Sequence, residues 1–207
     1  MEQSDRTGTD FTLTDRARAV LNFWFGDPAE PGSEYGQQRQ VWFKKDPAFD
    51  ETIRRHFLDD YEQAAADQLT HWQEQPRSCL ALIVLLDQVP RNLFRGNPRS
   101  FATDAQALAA ARHALAQGFD QALAPVERIF IYLPFEHSEN LADQQESVRR
   151  VQALVAQHPE LENILDYAIR HREVIEQFGR FPHRNEILGR ETTAEEAEFL
   201  KQPGSRF

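Results

Sequence analysis

Pro76-Arg77-Ser78-Cys79-Leu80-Ala81-Leu82-Ile83-Val84-Leu85-Leu86 is the stretch from which the fold is read. Proline suits the first turn of a helix, where its missing amide would have no partner in any case. The run from Leu80 to Leu86 is apolar on every side, as in a helix surrounded by other helices. Crossing a bilayer takes ~20 apolar residues. The run is far shorter and predicts the central element of a packed helical core.

Upstream, Thr14 is placed to cap a helix that stops before Gly26, with Val20, Leu21, Trp24 and Phe25 as its buried stripe. A loop rich in Gly, Pro and Ser follows through Gly36, and Val41, Trp42 and Phe43 anchor the chain after it. Asp50 predicts the cap of a long helix to about Trp72, in which Ile53, Phe57, Tyr61 and Ala64 recur at helical spacing. Downstream, Thr103 is expected to cap an alanine-rich helix to Gln117, closed by Gly118 in a left-handed turn. Pro125 opens another helix, which Pro134 bends or ends. Ser138 or Glu139 begins the next, to about Gln157, and one more runs from Glu160 to Phe178 and stops at Gly179. Thr193 starts a last short helix to Leu200, with Glu196 completing a capping box. No run alternates as a strand does. Seven or so helices joined by short turns predict an all-α fold, an array of antiparallel helical hairpins. One domain from residue 13 to residue 207 is expected behind a flexible tail over residues 1–12. Tetratricopeptide repeats recur every ~34 residues, and these helix pairs do not align on that pattern.

A chain of 207 residues can bury a core without staples. Cys79 is the only cysteine, so neither an intramolecular disulfide nor a multi-thiolate metal site is expected, and Cys79 is read as a small apolar core residue. The polar, acid-bearing start does not resemble a signal peptide, which predicts a cytoplasmic protein with no membrane partner. A net charge of −10 repels phosphate backbones, so nucleic acid is not expected as a partner. Locally the balance reverses: Arg170, Arg172, Arg180, Arg184 and Arg190, with His171 and His183, outnumber Glu173, Glu176 and Glu186. An arginine cluster in an acidic protein suits a small anion.

Three stretches place polar groups where the pattern predicts burial. In the first, from Asp87 to Gly96, Asp87 follows Leu80, Ile83 and Val84 at helical spacing, and an unpaired buried carboxylate there would be costly. Either Arg91 pairs with it while Asn92 closes the helix end, or Asp87 is a functional carboxylate. In the second, Pro134-Phe135-Glu136-His137-Ser138-Glu139-Asn140, a helical register would align His137 with Leu141, Gln144 and Val148. An acid beside a histidine can move protons, but the pattern is met more simply by Ser138 as a helix cap and His137 as a hydrogen-bonded core residue. The two-histidine spacing of a zinc-protease helix is absent, and no metal site is expected. In the third, Ile164, Ala168, His171, Ile175 and Phe178 form one stripe, which puts His171 on the core face. The turn that follows carries Arg180, Phe181, Pro182, His183, Arg184 and Asn185. Its arginines could converge on an anion as planar forks or neutralise buried acids such as Asp87 and Glu136.

The blocks Asp87-Gln88-Val89-Pro90-Arg91-Asn92-Leu93-Phe94-Arg95-Gly96, Pro134 to Glu139 and Phe178 to Asn185 resemble the signature blocks of the bacterial DUF924 family. Phe23-Trp24-Phe25-Gly26, Trp42-Phe43 and Phe49-Asp50 are similar to its opening blocks, and Val89 departs from the phenylalanine expected there. The resemblance implies a tetratricopeptide-like right-handed superhelix and no known activity. The leading expectation is a small-molecule site in which Arg91, Asn92, Arg180, His183, Arg184 and Asn185 hold an anionic ligand. In it Asp87, Glu136, His137 and His171 handle protons, with Arg184 meeting Asp87, Arg91 and the Glu136–His137 pair. A scaffold that binds a peptide or partner protein is the alternative, and a sealed polar network that fixes helix register is a third reading. No glycine-rich phosphate loop or serine elbow points to a cofactor or reaction, and the cofactor stays unknown.

Overall fold

The structure, a computed structural model, describes residues 14–42 and 44–205. The expected tail over residues 1–12 and the Phe43 anchor lie outside the described residues. Within them the secondary structure is helical, with no strand: α1 (Asp15–Phe25), α2 (Pro47–Ala65), α3 (Pro76–Ile83), α4 (Val89–Leu93), α5 (Asp104–Ala116), α6 (Pro125–Glu136), α7 (Leu141–Val155), α8 (Glu162–Phe178) and α9 (Ala194–Phe199). Short 3-10 turns join several of them.

Local chemistry sets these limits. Thr14 Oγ1 accepts from the Ala17 amide and caps α1. At the other end Gly26 takes φ +91°, and a Cβ there would meet Ser33 Oγ at 2.5 Å and the Tyr35 nitrogen at 2.8 Å, so only glycine fits. Trp42 anchors the loop by edge contacts with Phe25 and Phe130 and a 2.8 Å hydrogen bond to the Trp24 carbonyl. The long second helix differs from expectation at both ends. Asp46 caps it by accepting from Ala48 and Phe49, and Pro47 fills its first position, so Asp50 lies within the first turn. It stops at Ala65 because Asp67 takes a left-handed φ of +57°, and a separate 3-10 turn, Thr70–Glu74, carries Trp72.

The apolar run is the hub. Residues 79–86 are all buried, and α3 packs on α1, α5 and α6. At ~2 kcal/mol for each large aliphatic side chain, Leu80 to Leu86 alone contributes on the order of 10 kcal/mol of hydrophobic burial. α3 does not end cleanly: Val84–Gln88 widens to a π-helical turn, closed by the Val89 amide on the Val84 carbonyl, and α4 continues from it against α2. Pro90 has no amide to offer the Leu86 carbonyl in an α-helical register. The Thr103 hydroxyl donates to that carbonyl at 2.6 Å, so Thr103 ties α5 to the widened turn and makes no side-chain cap of its own helix.

Ala107, Ala110, Ala111 and Ala114 let α5 approach α3 closely, and Cys79 is buried in that contact, as expected. Pro134 does not end α6, which continues to Glu136. The cap of α7 is Asn140, which accepts from Ala142, and not Ser138 or Glu139. Gly118 takes the expected left-handed conformation, Gly179 ends α8 as expected and is also left-handed, and Thr193 with Glu196 forms the capping box of α9. α5 packs on α6, α6 on α7 and α7 on α8, each helix on its successor.

Candidate functional site

The C-terminal end of α6 meets the widened turn after α3. Glu136 is the last residue of α6 and His137 caps it, so two neighbours in sequence reach different partners. Residues 137–140 form a turn and do not belong to α7, so His137 does not share a helical face with Leu141 and Val148 as a continuous register would require. Gln144 from α7 fastens this turn by donating to the carbonyls of Glu136 and Ser138, both at 2.6 Å.

Asp87 sits in the π turn, 1% exposed. Its Oδ1 accepts from His137 Nδ1 at 2.7 Å and Arg91 Nη2 at 3.2 Å, and its Oδ2 accepts from Gln88 Nε2 at 2.6 Å. Burial alone would push this carboxyl up, but the His137 and Arg91 partners reverse that and hold it well below the usual carboxylate range. An ionised carboxylate only accepts, so Nδ1 of His137 carries the proton. Burial and then Arg91 push the imidazole pKa down against the pull of Asp87. His137 is therefore neutral at pH 7, with Nε2 as the lone-pair nitrogen.

A second acid–histidine pair lies beside the first. His171 Nδ1 is 2.8 Å from the Tyr167 carbonyl and 3.1 Å from Glu136 Oε1, and a carbonyl only accepts, so the proton is on Nδ1. Burial, then the charge of Asp87, raises Glu136 to about 8. Burial also drives His171 well below its ordinary value, so this pair is uncharged at neutral pH. The two imidazole centroids are 6.3 Å apart, and Phe181 lies edge-on to His171 at 5.6 Å.

Arginines close the cluster. Arg91 Nη2 also donates to Asp104 Oδ1 at 3.0 Å, and Arg184 Nη1 donates to the other oxygen of Asp104 at 3.1 Å. Arg184 Nη2 reaches the His137 carbonyl at 3.1 Å, and its guanidinium lies 4.6 Å from the ring centres of both Phe101 and Phe181. Burial and then Arg91 lower Arg184 to about 10, which leaves it charged at neutral pH. Arg184 thus joins Arg91 and His137, but the acid that it meets is Asp104 and not Asp87. As a first-turn acid of an alanine-rich helix, Asp104 carries no sequence signal of this pairing.

The structure does not bring every expected residue to this cluster. Arg180 is bound through two nitrogens to Glu196 at 2.6 and 2.8 Å, Asn185 donates to Glu196 at 3.2 Å, and Asn92 donates to Asp50 at 2.8 Å. Arg190 forks onto Glu139 at 2.7 and 3.0 Å, and Arg172 pairs with Glu176 at 3.2 Å. The local arginine excess in the sequence is thus offset largely by acids from other segments. His183 lies 5.6 Å from Phe181, and burial followed by the charges of Arg184 and Arg91 lowers it to about 3.

Nε2 of His137 and Nη1 of Arg91 make no hydrogen bond among the described residues, and neither do the buried Nε atoms of Arg91 and Arg184. The side chains of His137 and Arg91 keep 14% and 20% exposure, whereas Asp87, Glu136, His171 and Arg184 are nearly sealed. No group of three or more His, Cys, Asp or Glu side chains is placed to hold a metal among the described residues.

Fold and cluster define a helical protein with two buried acid–histidine pairs at the end of α6, one reaching the widened turn after α3 and the other α8. The chain belongs to DUF924, described as a bacterial protein of unknown function, whose model matches residues 20–204. It is similar to ATU0120, a protein of unknown function from Agrobacterium tumefaciens with a solved structure, at 42% identity. The superposition has a TM-score of 0.78 and covers 89% of this chain and 96% of that one. No curated protein matches the sequence.

Proposed function

We propose that the cluster is an acid–base site for a small molecule with an anionic group, in a single helical domain of a cytoplasmic bacterial protein. The observation that carries this reading is the 2.7 Å Asp87–His137 contact, with the far nitrogen of the imidazole unpartnered and the side chain 14% exposed. Asp87 fixes the tautomer and orientation of His137, which leaves Nε2 as a base for a substrate proton. Two carboxyls in one cluster with pKa values pushed apart, Asp87 down and Glu136 up, suit a division into charge stabiliser and acid. Arg91 Nη1 supplies the donor for the anionic group, with Arg184 behind it. Arg180, Asn185 and Asn92, engaged with Glu196 and Asp50, support the surrounding structure in this reading.

The test is a thermal-shift screen of small carboxylates and phosphates against the native chain, Arg91→Gln and His137→Asn. An occupant at a hundredfold excess over its Kd stabilises the fold by ~2.7 kcal/mol. The reading expects at least one compound whose stabilisation is lost in Arg91→Gln and whose turnover is lost in His137→Asn. Stabilisation by anions that is indifferent to both substitutions would refute it.

A second reading, a tetratricopeptide-like right-handed superhelix that binds a peptide or partner protein, is favoured by two observations. α5 to α8 pack in chain order as successive hairpins, and a cleft of about 530 Å³ lined by Thr14, Arg16, Asp59, Asp60, His71 and Trp72, among others, shares no residue with the cluster. Pull-down of a partner released by Asp59→Lys, and untouched by Arg91→Gln, would favour this scaffold.

A further inference from the structure

Asp87, Glu136 and His171 are 1%, 3% and 6% exposed, too little for a small molecule to touch them while their cover stays in place. Over His171 and the His137 carbonyl that cover is the chain beyond α8. Phe181 lies against the His171 imidazole and Arg184 on the His137 carbonyl, and both belong to the turn between Gly179 and Gly189, each of which takes a left-handed φ.

The attachments of this segment differ at its two ends. Its apolar contacts form a small cluster separate from the main core: Phe181 with Val174 and Ile175, and Phe199 against Phe178 at 5.1 Å. The α8 residues of this cluster lie in its last two turns, directly before Gly179. Toward α5 and the end of α6 the segment is held through charged and polar groups: Arg184 to Asp104, to the His137 carbonyl and over the Phe101 ring, Arg190 to Glu139, and the Phe181 amide to Glu139 at 2.8 Å. Phe199 on Phe178 is an apolar pivot, and Phe181, which covers His171, has to lift with the charged contacts for the pair to be reached; this is the arrangement of a hinged cover beside a left-handed glycine. The charged contacts are replaceable by water when it opens, whereas the pivot is not.

We propose that residues 180–200 form a lid, hinged at Gly179 and latched by Glu139 and Asp104, whose opening admits a small molecule to the Glu136–His171 pair. The purpose of the lid rests on the acid–base reading, but its motion is measured without any ligand, so each can fail alone. A lid that never opens leaves the binding variants to decide the site, and a lid that opens over an inert cluster leaves the motion intact.

The experiment is native-state hydrogen exchange on the full chain, together with carbethoxylation of His171 read by mass spectrometry. In the wild type, amides of residues 180–200 should exchange through an opening that leaves α3 and α6 protected. Glu139→Gln should speed both lid exchange and His171 modification on the order of tenfold, the scale for losing a charge-assisted bond, with α3 unchanged. Arg190→Gln cuts the same latch from the other side and should repeat the result should Glu139→Gln fold poorly. Lid amides that exchange only with α3 would overturn the proposal. So would equal acceleration of all segments in both variants, or faster lid exchange with no rise in His171 modification.

Discussion

Glu136 holds its proton at neutral pH because burial disfavours the charged form and Asp87 stands close, and its pKa rises to about 8 from an ordinary 4.5. Between those values the folded chain carries a proton that the unfolded chain has lost, so this group makes stability fall as pH rises through the window. His137, His171 and His183 act in the opposite sense. Below their ordinary pKa of 6.5 the unfolded chain gains protons that the buried rings refuse, and stability falls on acidification. Three histidines outweigh one carboxyl on the acid side, so stability should peak near pH ~6.5 and decline by on the order of 2 kcal/mol toward pH ~8. Urea denaturation across this range checks it, and Glu136→Gln should flatten the alkaline limb alone. A wild-type plateau from neutrality to pH ~8 would show that Glu136 is ionised. Stripe periodicity made the burial of Asp87 and His171 legible, because it reports which face of its own helix a residue takes. It could not show that Asp104 pairs with Arg184, eighty positions away, or that Glu139 takes the fork of Arg190. Such pairings exist only once distant segments pack.

Among the elements, the widened turn after α3 positions Asp87, and Thr103 supports it by donating to the Leu86 carbonyl that Pro90 leaves without an α-helical partner. Thr103→Val keeps the shape and removes the hydroxyl, which should cost ~1–3 kcal/mol for an unserved buried carbonyl. Thermal denaturation measures it, and an unchanged melting midpoint would show that the π turn satisfies itself. Caps that act through backbone chemistry within a few residues were legible at Thr14, Gly118, Gly179 and the Thr193–Glu196 box, whereas Asp50, Thr103, Ser138 and Glu139 do not make the caps expected of them. The second helix shows how a near miss arises. Asp46 followed by Pro47 is a stronger start than Asp50, and the frame shift frees Asp50 to bind Asn92 and Arg95. The π turn had no sequence signal beyond Pro90, which is compatible with either register.

For the whole molecule, the all-helical class and the central place of residues 79–86 follow from composition and periodicity, since an all-round apolar helix has to be enclosed. Helix order alone does not set the twist of the array or which loops meet. The central claim is that packing three distant segments together presents His137 as an unprotonated base, with Asp87 fixing its tautomer. The most direct test is the ring nitrogen chemical shifts of His137 in the isotope-labelled chain near pH 7. The account predicts a proton on Nδ1, a bare Nε2 and loss of that tautomer preference in Asp87→Asn. A ring protonated on both nitrogens at neutral pH, or on Nε2 alone, would contradict it.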